Sequence, residues 1–334
     1  MQRISLAHGE GGEVANELIQ KVFIKSFGHS KHTQFDSAIL SLREQTIAVT
    51  TDSFVVNPLF FPGGNIGKLA IAGTVNDLAV SGAIPYVLTA GFIIEEGFPI
   101  KSLKDIVKTM AEEAERAGVT IVAGDTKVVE KGSADGLFIN TTGIGIVQEK
   151  RLQPELIQEG DSVLISGTIG DHGVAILSAR QELGLLTNVQ SDCASLTGII
   201  HELLEEVKGV RIMRDPTRGG LATTLVELCE DFRFSIELDE DLIPVRKDVQ
   251  GACDILGYDP LYLANEGKVV IIVDSNEEQK ALALLQSYEI GKNAKVIGKV
   301  ASCEDESGKL LLKTIVGTTK RLNRLAGPLL PRIC

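Results

Sequence analysis

Apolar positions along this chain fall into runs of two different periods, and the two kinds of run alternate. Val14, Leu18 and Val22, with Ala15, Ile19 and Phe23 beside them, recur at the spacing of one helix face. Ala38–Leu40 and Ile47–Val49 are short apolar runs that predict two strands, joined through Arg43-Glu44. Asn65 stands where a helix N-cap belongs, ahead of a small-residue apolar stretch that runs to about Ser81 and is stopped by Pro85. Tyr86–Ile94 predicts a strand. Ser102 and Asp105 have capping-box spacing for a helix carrying Leu103, Ile106, Met110, Ala114 and Ala117, closed by Gly118. Further strands are predicted at Val119–Val122 and Phe138–Val147.

The polar run 148–160, with Pro154 inside it, marks a domain boundary. Beyond it, a strand at Ser162–Ile165 leads through a Gly-rich turn, Gly167 to Gly173, into a helix. A second helix opens after Gly219-Gly220, a strand follows at Lys268–Val273, and a helix covers Glu277–Gln286. Alternation in both halves predicts an α/β (α+β) chain of two domains, residues 1–148 and 149–316. From Gly317 the character changes: the last residues carry four basic side chains and no acidic one, and two prolines and a glycine oppose regular structure. Residues 317–334 are therefore expected to form a mobile arm, able to reach about 50–60 Å when extended.

Composition narrows the function. With 33 Lys+Arg against 45 Asp+Glu the formal net charge is −12, and there is no Trp. Such a chain lacks both the phosphate-binding face and the stacking platform that nucleic acid requires. The five cysteines show no C-x-x-C and no repeated short spacing, so neither a disulfide framework nor a Cys-rich zinc site is expected, and a reducing cytoplasm is the natural compartment. Leu69–Ile94 is long enough to span a bilayer and holds one formal charge, Asp77. Its Asn76, Gly82, Pro85 and Gly91 divide it into helix, turn and strand, which predicts buried core and no membrane partner.

Candidate chemistry lies where these elements end. His8-Gly9-Glu10-Gly11-Gly12 precedes a helix, a place for anion contact or simply a permissive turn. Asp52 and Asp125 are read as following strands, and Asp77 as lying on a helix face with Ile66, Ala70, Gly73 and Val80, where an unpaired carboxylate is costly. Carboxylates with phosphate oxygens suit Mg²⁺; an N-cap or salt bridge is the plainer reading of each one singly. Lys127 shares a face with Asp125 if the strand continues. In Asp215-Pro-Thr-Arg218-Gly-Gly, Arg218 could fork a phosphate. Glu266 occupies a loop ahead of a strand, available for proton transfer or merely solvated, and His172 reads as a turn residue. Cys334, the last residue of the sequence, is a thiol on an arm and so a nucleophile that can visit more than one site.

Taken together, HGEGG (8–12), the segment 51–83, VAGDTKVV (122–129), SGTIGDHG (166–173), MRDPTRGG (213–220), ANEG (264–267) and the terminal PRIC (331–334) resemble the carbamoyl dehydratases of hydrogenase maturation. These belong to the ATP-binding superfamily of aminoimidazole ribonucleotide synthase, selenophosphate synthetase and thiamine-phosphate kinase. The resemblance implies a two-domain aminoimidazole ribonucleotide synthase-like fold with an ATP-binding and dimerising first domain, so a homodimer. It places Gly9, Gly11, Gly12, Asp52, Asn76, Asp77, Asp125, Thr217 and Arg218 at nucleotide positions, and Asp36, Asp52, Asp77, Asp125 and Asp215 at positions holding Mg²⁺. It further implies that the carbamoyltransferase HypF loads Cys334, that ATP activates the carbamoyl oxygen, that Lys127 and Glu266 are the candidate bases for elimination to a thiocyanate, and that cyanide passes to iron on a HypC–HypD assembly. Two rivals stay open on the residues alone: an enzyme phosphorylating a free small molecule, and a nucleotide-gated docking protein with a basic arm.

Overall fold

A computed structural model describes residues 13–18, 20, 38–42, 45–147, 152–180, 187–302, 308–326 and 332–334. Gly9, Gly11, Gly12 and Asp36 lie outside the described residues. After helix α1 (Glu13–Leu18), the first unit is a five-stranded sheet with helices on one face. Its elements are β1 (Ala38–Leu42), β2 (Gln45–Phe54), a small ribbon of β3 (Phe60–Phe61) and β4 (Gly64–Asn65), α2 (Ile66–Val80), β5 (Ile84–Glu95), α3 (Ile100–Arg116), β6 (Thr120–Val129) and β7 (Leu137–Val147). The strand order is β1-β2-β7-β5-β6, antiparallel except for β5–β6, which α3 connects as a parallel crossover.

Helix α2 lies against β2 and β7 on one side and α3 on another, so nearly every residue of it is buried. Asn65 caps it as the sequence predicts, its Oδ1 accepting from the N–H groups of Gly67 (2.8 Å) and Lys68 (3.1 Å). Gly82, at φ +77°, turns the chain after it, whereas Pro85 belongs to β5. Helix α3 departs from expectation at its start. It begins at Ile100 with Pro99 at the cap, and no side chain caps it. Ser102 and Asp105 are inside the helix, where Asp105 pairs with Lys101 instead. Strands β2 and β6 run further than their apolar cores predict: Asp52 and Asp125 are both within strands, not after them. A polar residue does not end a strand when it faces a functional or solvated surface.

The second unit follows a short 3-10 turn (Pro154–Leu156). It contains β8 (Ser162–Ile165), α4 (Asp171–Arg180), α5 (Thr197–Glu206), β9 (Val210–Arg214), α6 (Gly220–Phe232), β10 (Ser235–Asp239), α7 (Lys247–Leu256), β11 (Val270–Val273), α8 (Glu278–Ser287), β12 (Lys295–Ala301), β13 (Leu310–Lys313) and β14 (Thr319–Leu322). Its seven strands are ordered β14-β13-β10-β12-β8-β11-β9. β8 and β11 are buried at every position, the mark of central strands covered on both faces.

The last stretch is more structured than its composition suggests. Thr319–Leu322 pairs with β13 as an edge strand, across a turn in which Gly317 takes φ +82° and Thr314 and Thr318 bond each other. The β-branched Thr318-Thr319 pair favours this strand over the coil expected from the later prolines. Arg324 then pairs with Glu227 (3.0 Å) and Glu230 (2.7 Å) on α6, and Leu325 N–H donates to Thr223 Oγ1 (3.3 Å). Residues 332–334 return to the first unit. Ile333 is 3% exposed and joins a core that includes residues of β2, α2, α3, α4 and α7.

Candidate functional site around the terminal cysteine

The final three residues are held mainly through their backbone. Val55 N–H donates to the Cys334 carbonyl (3.0 Å) and Asn57 N–H to the Arg332 carbonyl (3.2 Å), the two-residue spacing of an antiparallel pairing beyond the end of β2. Arg180, from the last turn of α4, bridges the Arg332 and Asn57 carbonyls at 2.8 Å each. Arg332 returns the contact, donating to the Val55 carbonyl (2.9 Å), pairing with Asp135 and lying over the Phe138 ring. His172 is fully buried. Its Nε2 lies 2.8 Å from the Ile333 carbonyl and its Nδ1 2.8 Å from Ser191 Oγ. A carbonyl only accepts, so Nε2 carries the proton, and a neutral ring leaves Nδ1 to accept the Ser191 hydroxyl. Burial holds this imidazole below its ordinary value, in keeping with that neutral tautomer.

This docking brings the Cys334 sulfur among Arg218, Glu266 and Asp52, the three charged groups that act on it. Burial pushes the thiol up to about 12, with the Arg218 guanidinium opposing and Glu266 and Asp52 adding to the rise. Glu266 is 4% exposed, and its Oε1 has no hydrogen-bond partner among the described residues. Burial, then Asp215, Asp192 and Asp52, lift its carboxyl well above the usual range, against Arg218. It is a buried carboxyl pushed toward its protonated form, not a solvated loop carboxylate. Asp52 and Asp77 meet on the helix-covered face of the first sheet and share a hydrogen bond, burial raising Asp52. Thr50 Oγ1 donates to Asp77 Oδ2 at 2.7 Å.

The remaining predicted residues do not all gather here. Asp125 and Lys127 pair at 3.0 Å on the exposed edge strand β6. The register Ser53–Asn140–Gly91–Asp125 crosses the sheet in one row, so Asp125 faces the open side while Asp52, one residue from Ser53, faces the helices. Three strand spacings, roughly 14 Å, also separate Asp125 from that end of the row. Within one chain Asp125 thus stands apart from Asp52 and Asp77, and no group of three metal-binding side chains is found among the described residues. Lys127 and Val55 line the same groove on the open face, about 440 Å³, so Lys127 borders the docked arm through Val55. Asn76, expected at the nucleotide, ties α2 to the second unit: its Nδ2 donates to the Ala194 carbonyl (3.0 Å) and its Oδ1 accepts from Leu196 N–H (2.7 Å). Asp215 is buried, and Thr217 and Arg218 follow it in the turn that opens α6, where Gly219 and Gly220 both take positive φ.

Three residues that hold the site carried no signal strong enough to be found in sequence. His172 looked like part of a Gly-rich turn, Arg180 like an ordinary basic helix end, and Asp192 lay in an unmarked segment. Asp192 accepts from the Glu266 N–H (3.1 Å), the Gly267 N–H (3.2 Å) and Lys268 Nζ (3.1 Å). Chemically, the paired Asp52 and Asp77 carboxyls are oxygen donors that suit a hard divalent cation.

Comparison with known proteins agrees with this arrangement. The description "AIR synthase related protein, N-terminal domain" matches residues 34–147, and its C-terminal counterpart matches residues 158–310. The carbamoyl dehydratase HypE of Cupriavidus necator is 46% identical over 335 residues, covering 99% of this chain and 95% of the relative. A crystal structure of a HypE–HypF complex is 49% identical with a TM-score of 0.86, covering 92% of this chain and 99% of that one. A hydrogenase maturation protein HypE solved in complex with ATP is 43% identical with a TM-score of 0.83, covering 99% of this chain and all of the other.

Proposed function

Since this chain belongs to the carbamoyl dehydratase HypE family of AIR-synthase-related proteins, we propose that the docked arm is the state in which its own Cys334 undergoes dehydration. The activity is ATP-dependent conversion of the S-carbamoyl group on Cys334 to a thiocyanate, which supplies cyanide for the iron of NiFe-hydrogenase. HypF, which forms the solved complex with a relative, is the partner that loads the thiol. The observation that carries the reading is the sulfur itself, brought by its backbone grip to Arg218, Glu266 and Asp52.

ATP supplies the phosphoryl group that turns the carbamoyl oxygen into a leaving group. The carbamoyl nitrogen loses both protons, the C–O bond breaks, phosphate departs with the oxygen, and the S–C bond is retained in S–C≡N. Arg218 offsets the negative charge that develops on that oxygen. Glu266, whose carboxyl is lifted toward neutrality, exchanges the proton nearest the sulfur. Lys127, paired with Asp125 on the open face, lies across the sheet from this sulfur within one chain; as the second candidate base it would act across the homodimer surface, on the partner subunit's arm. The buried position of Ile333 and the contacts of Arg332 limit the access of water, which would hydrolyse the activated group, to a half-buried Cys334.

Asp52 and Asp77 would hold Mg²⁺, joined by Asp215 and by Asp36, with Thr217, Arg218 and the glycines 9, 11 and 12 at the phosphates. A bound Mg²⁺ would neutralise phosphate charge. Asp125 and Lys127 face outward on the open side of the first sheet, which we assign as the surface of a homodimer. Tyr86, Ile93, Val122 and Val128 are exposed there or along its edge. Cyanide is then handed to a HypC–HypD iron assembly. Among the described residues no helix is long and apolar enough to cross a membrane, and Cys193, Cys229 and Cys253, buried and in no disulfide, suit a reducing cytoplasm.

Mass spectrometry of the C-terminal peptide tests the reading directly. After incubation with the carbamoyl-transfer system Cys334 should gain one carbamoyl group, and lose one water only when ATP is added. A bare thiol throughout, with the loading system active on a known acceptor, would refute it.

A further inference from the structure

The Glu266 loop and the docked arm are both gripped by one short segment, residues 191–193. Asp192 spreads its two carboxylate oxygens over consecutive amides, Oδ1 taking the Glu266 N–H and Oδ2 the Gly267 N–H together with Lys268 Nζ. Ala194 N–H donates back to the Glu266 carbonyl at 3.3 Å. The two strands of chain are so close that a Cβ at Gly267 would stand 2.0 Å from the Asp192 carbonyl oxygen. On the other side, Ser191 Oγ meets His172 Nδ1 and accepts from Cys193 N–H (3.1 Å), and His172 holds the Ile333 carbonyl. Ser191 N–H is itself fixed to the Pro62 carbonyl (2.8 Å) in the first unit.

Asp192 is costly to keep. Its side chain is 4% exposed and is balanced by Lys268, 8% exposed, and a buried ion pair of this kind seldom adds stability over an apolar pair. The hydrogen bonds of the pair lie on the Glu266 loop, Lys268 Nζ also reaching the Gly267 carbonyl (3.4 Å). What the pair does achieve is register: a bidentate carboxylate fixes the orientation of two successive peptide groups, and with them the direction in which the Glu266 side chain leaves the backbone.

We infer that Asp192 is a positioning residue, the centre of a jig in which residues 191–193 set the Glu266 carboxyl against the Cys334 sulfur. Asp192 grips the acid–base loop directly and Ser191 grips the arm through His172, so the two reacting partners share one reference frame. This rests on the reading of Glu266 as an acid–base group and extends it to the residue that aims it. Misplacement of such a group by about 1 Å costs on the order of 100-fold in rate.

The test uses full-length protein already carbamoylated on Cys334, in single-turnover dehydration followed by mass spectrometry over a range of ATP concentrations. Asp192→Asn keeps the shape but offers one acceptor oxygen where two are used. Asp192→Asn/Lys268→Met does the same without leaving the lysine unpaired, and serves if the single variant fails to fold. Both should be loaded with carbamoyl normally, show a half-saturating ATP concentration within about twofold of the parent, and dehydrate ~10- to 100-fold more slowly. A folded variant that dehydrates at the parent rate overturns the inference. So does one in which rate and ATP half-saturation deteriorate together. Glu266→Gln separates the layers: if it dehydrates at the parent rate, the acid–base reading of Glu266 fails; if it is inactive while the Asp192 variants are not, only the jig fails.

Discussion

At the scale of single residues, the site is a set of carboxyl groups kept from their ordinary charge. Glu266 shows the principle most clearly, because its native carboxyl titrates well above 4.5. The folded protein then binds one more proton than the unfolded chain at every pH between the ordinary and the raised value. Stability is untouched below about 4.5 and falls as pH rises through that window, levelling off above the native value. Glu266→Gln removes this penalty, so thermal unfolding near neutral pH or above should show the variant more stable than the parent, while the two converge at acidic pH. The same variant should lose ~10²- to 10⁴-fold in dehydration rate. Equal pH dependence of the two melting curves would mean that Glu266 is charged in the native protein. Of the residues in this site, the sequence announced those whose type is chemically loud: a terminal cysteine, an aspartate inside an apolar helix, an arginine before paired glycines. It was silent on His172, Arg180 and Asp192, because a residue that orients others has no composition of its own; its role exists only in the distances.

At the scale of elements, α2 is the strut on which the carboxylate pair stands. It carries Asp77 on the side facing Thr50 of β2, and its start is fixed by Asn65. Asn65→Ala removes the cap for two amides, and also the Nδ2 contact to Thr109 Oγ1 on α3 (2.9 Å). Chemical denaturation should show a loss of ~1–2 kcal/mol, with the midpoint shifted and the slope unchanged; a neutral result would place the stability of α2 wholly in its packing. This helix was legible because cap, apolar run and stop lie in order along the chain. Strands β2 and β6 were read too short because Asp, Ser and Gly look like punctuation, whereas here Asp52 and Asp125 lie within ladders whose bonds are made by the backbone. The start of α3 was misplaced because Ser102 and Asp105 imitate a capping box one turn inside a helix that Pro99 already begins. In the second unit, β8 and β11 are unbroken apolar runs, whereas β9, β10 and β12 are interrupted by Arg, Glu, Lys or Gly, and only the pairing of distant segments makes them strands.

At the scale of the whole molecule, the arm is fastened at two places. Its root is fixed to α6 by Arg324 and its tip to the first unit by Arg180, His172, Val55 and Asn57. The tip fastening depends on pH through His172. Since burial lowers this imidazole, the docked form binds fewer protons than the released one, so docking is fully stable above 6.5 and weakens as pH falls below it. Asp192 and the Ile333 carbonyl, which accepts from Nε2–H in either charge state, oppose this by favouring the cation, and Lys268 screens Asp192 in turn. Limited proteolysis of the C-terminal segment should therefore accelerate on acidification through that range, and His172→Gln, which keeps a donor without the titration, should flatten the response. Unchanged protection across the range would remove His172 from the account.

The grip on the arm is made of the main-chain oxygens of residues 332, 333 and 334 and of the Arg332 side chain, and among the described residues none of its hydrogen bonds goes to sulfur. A berth of this kind does not inspect cargo. Bare thiol, carbamoyl ester and thiocyanate should moor with similar strength, and a change that both states bind equally shifts no equilibrium between them. Conversion at the sulfur is therefore not its own signal to depart; the finished thiocyanate waits at the quay until a competitor for the Arg332–Cys334 backbone, or for the groove beside Val55, draws the arm away. Protease protection measured on the three forms in turn should give one common value, and a marked loss in the thiocyanate form alone would show that the berth can tell its freight apart.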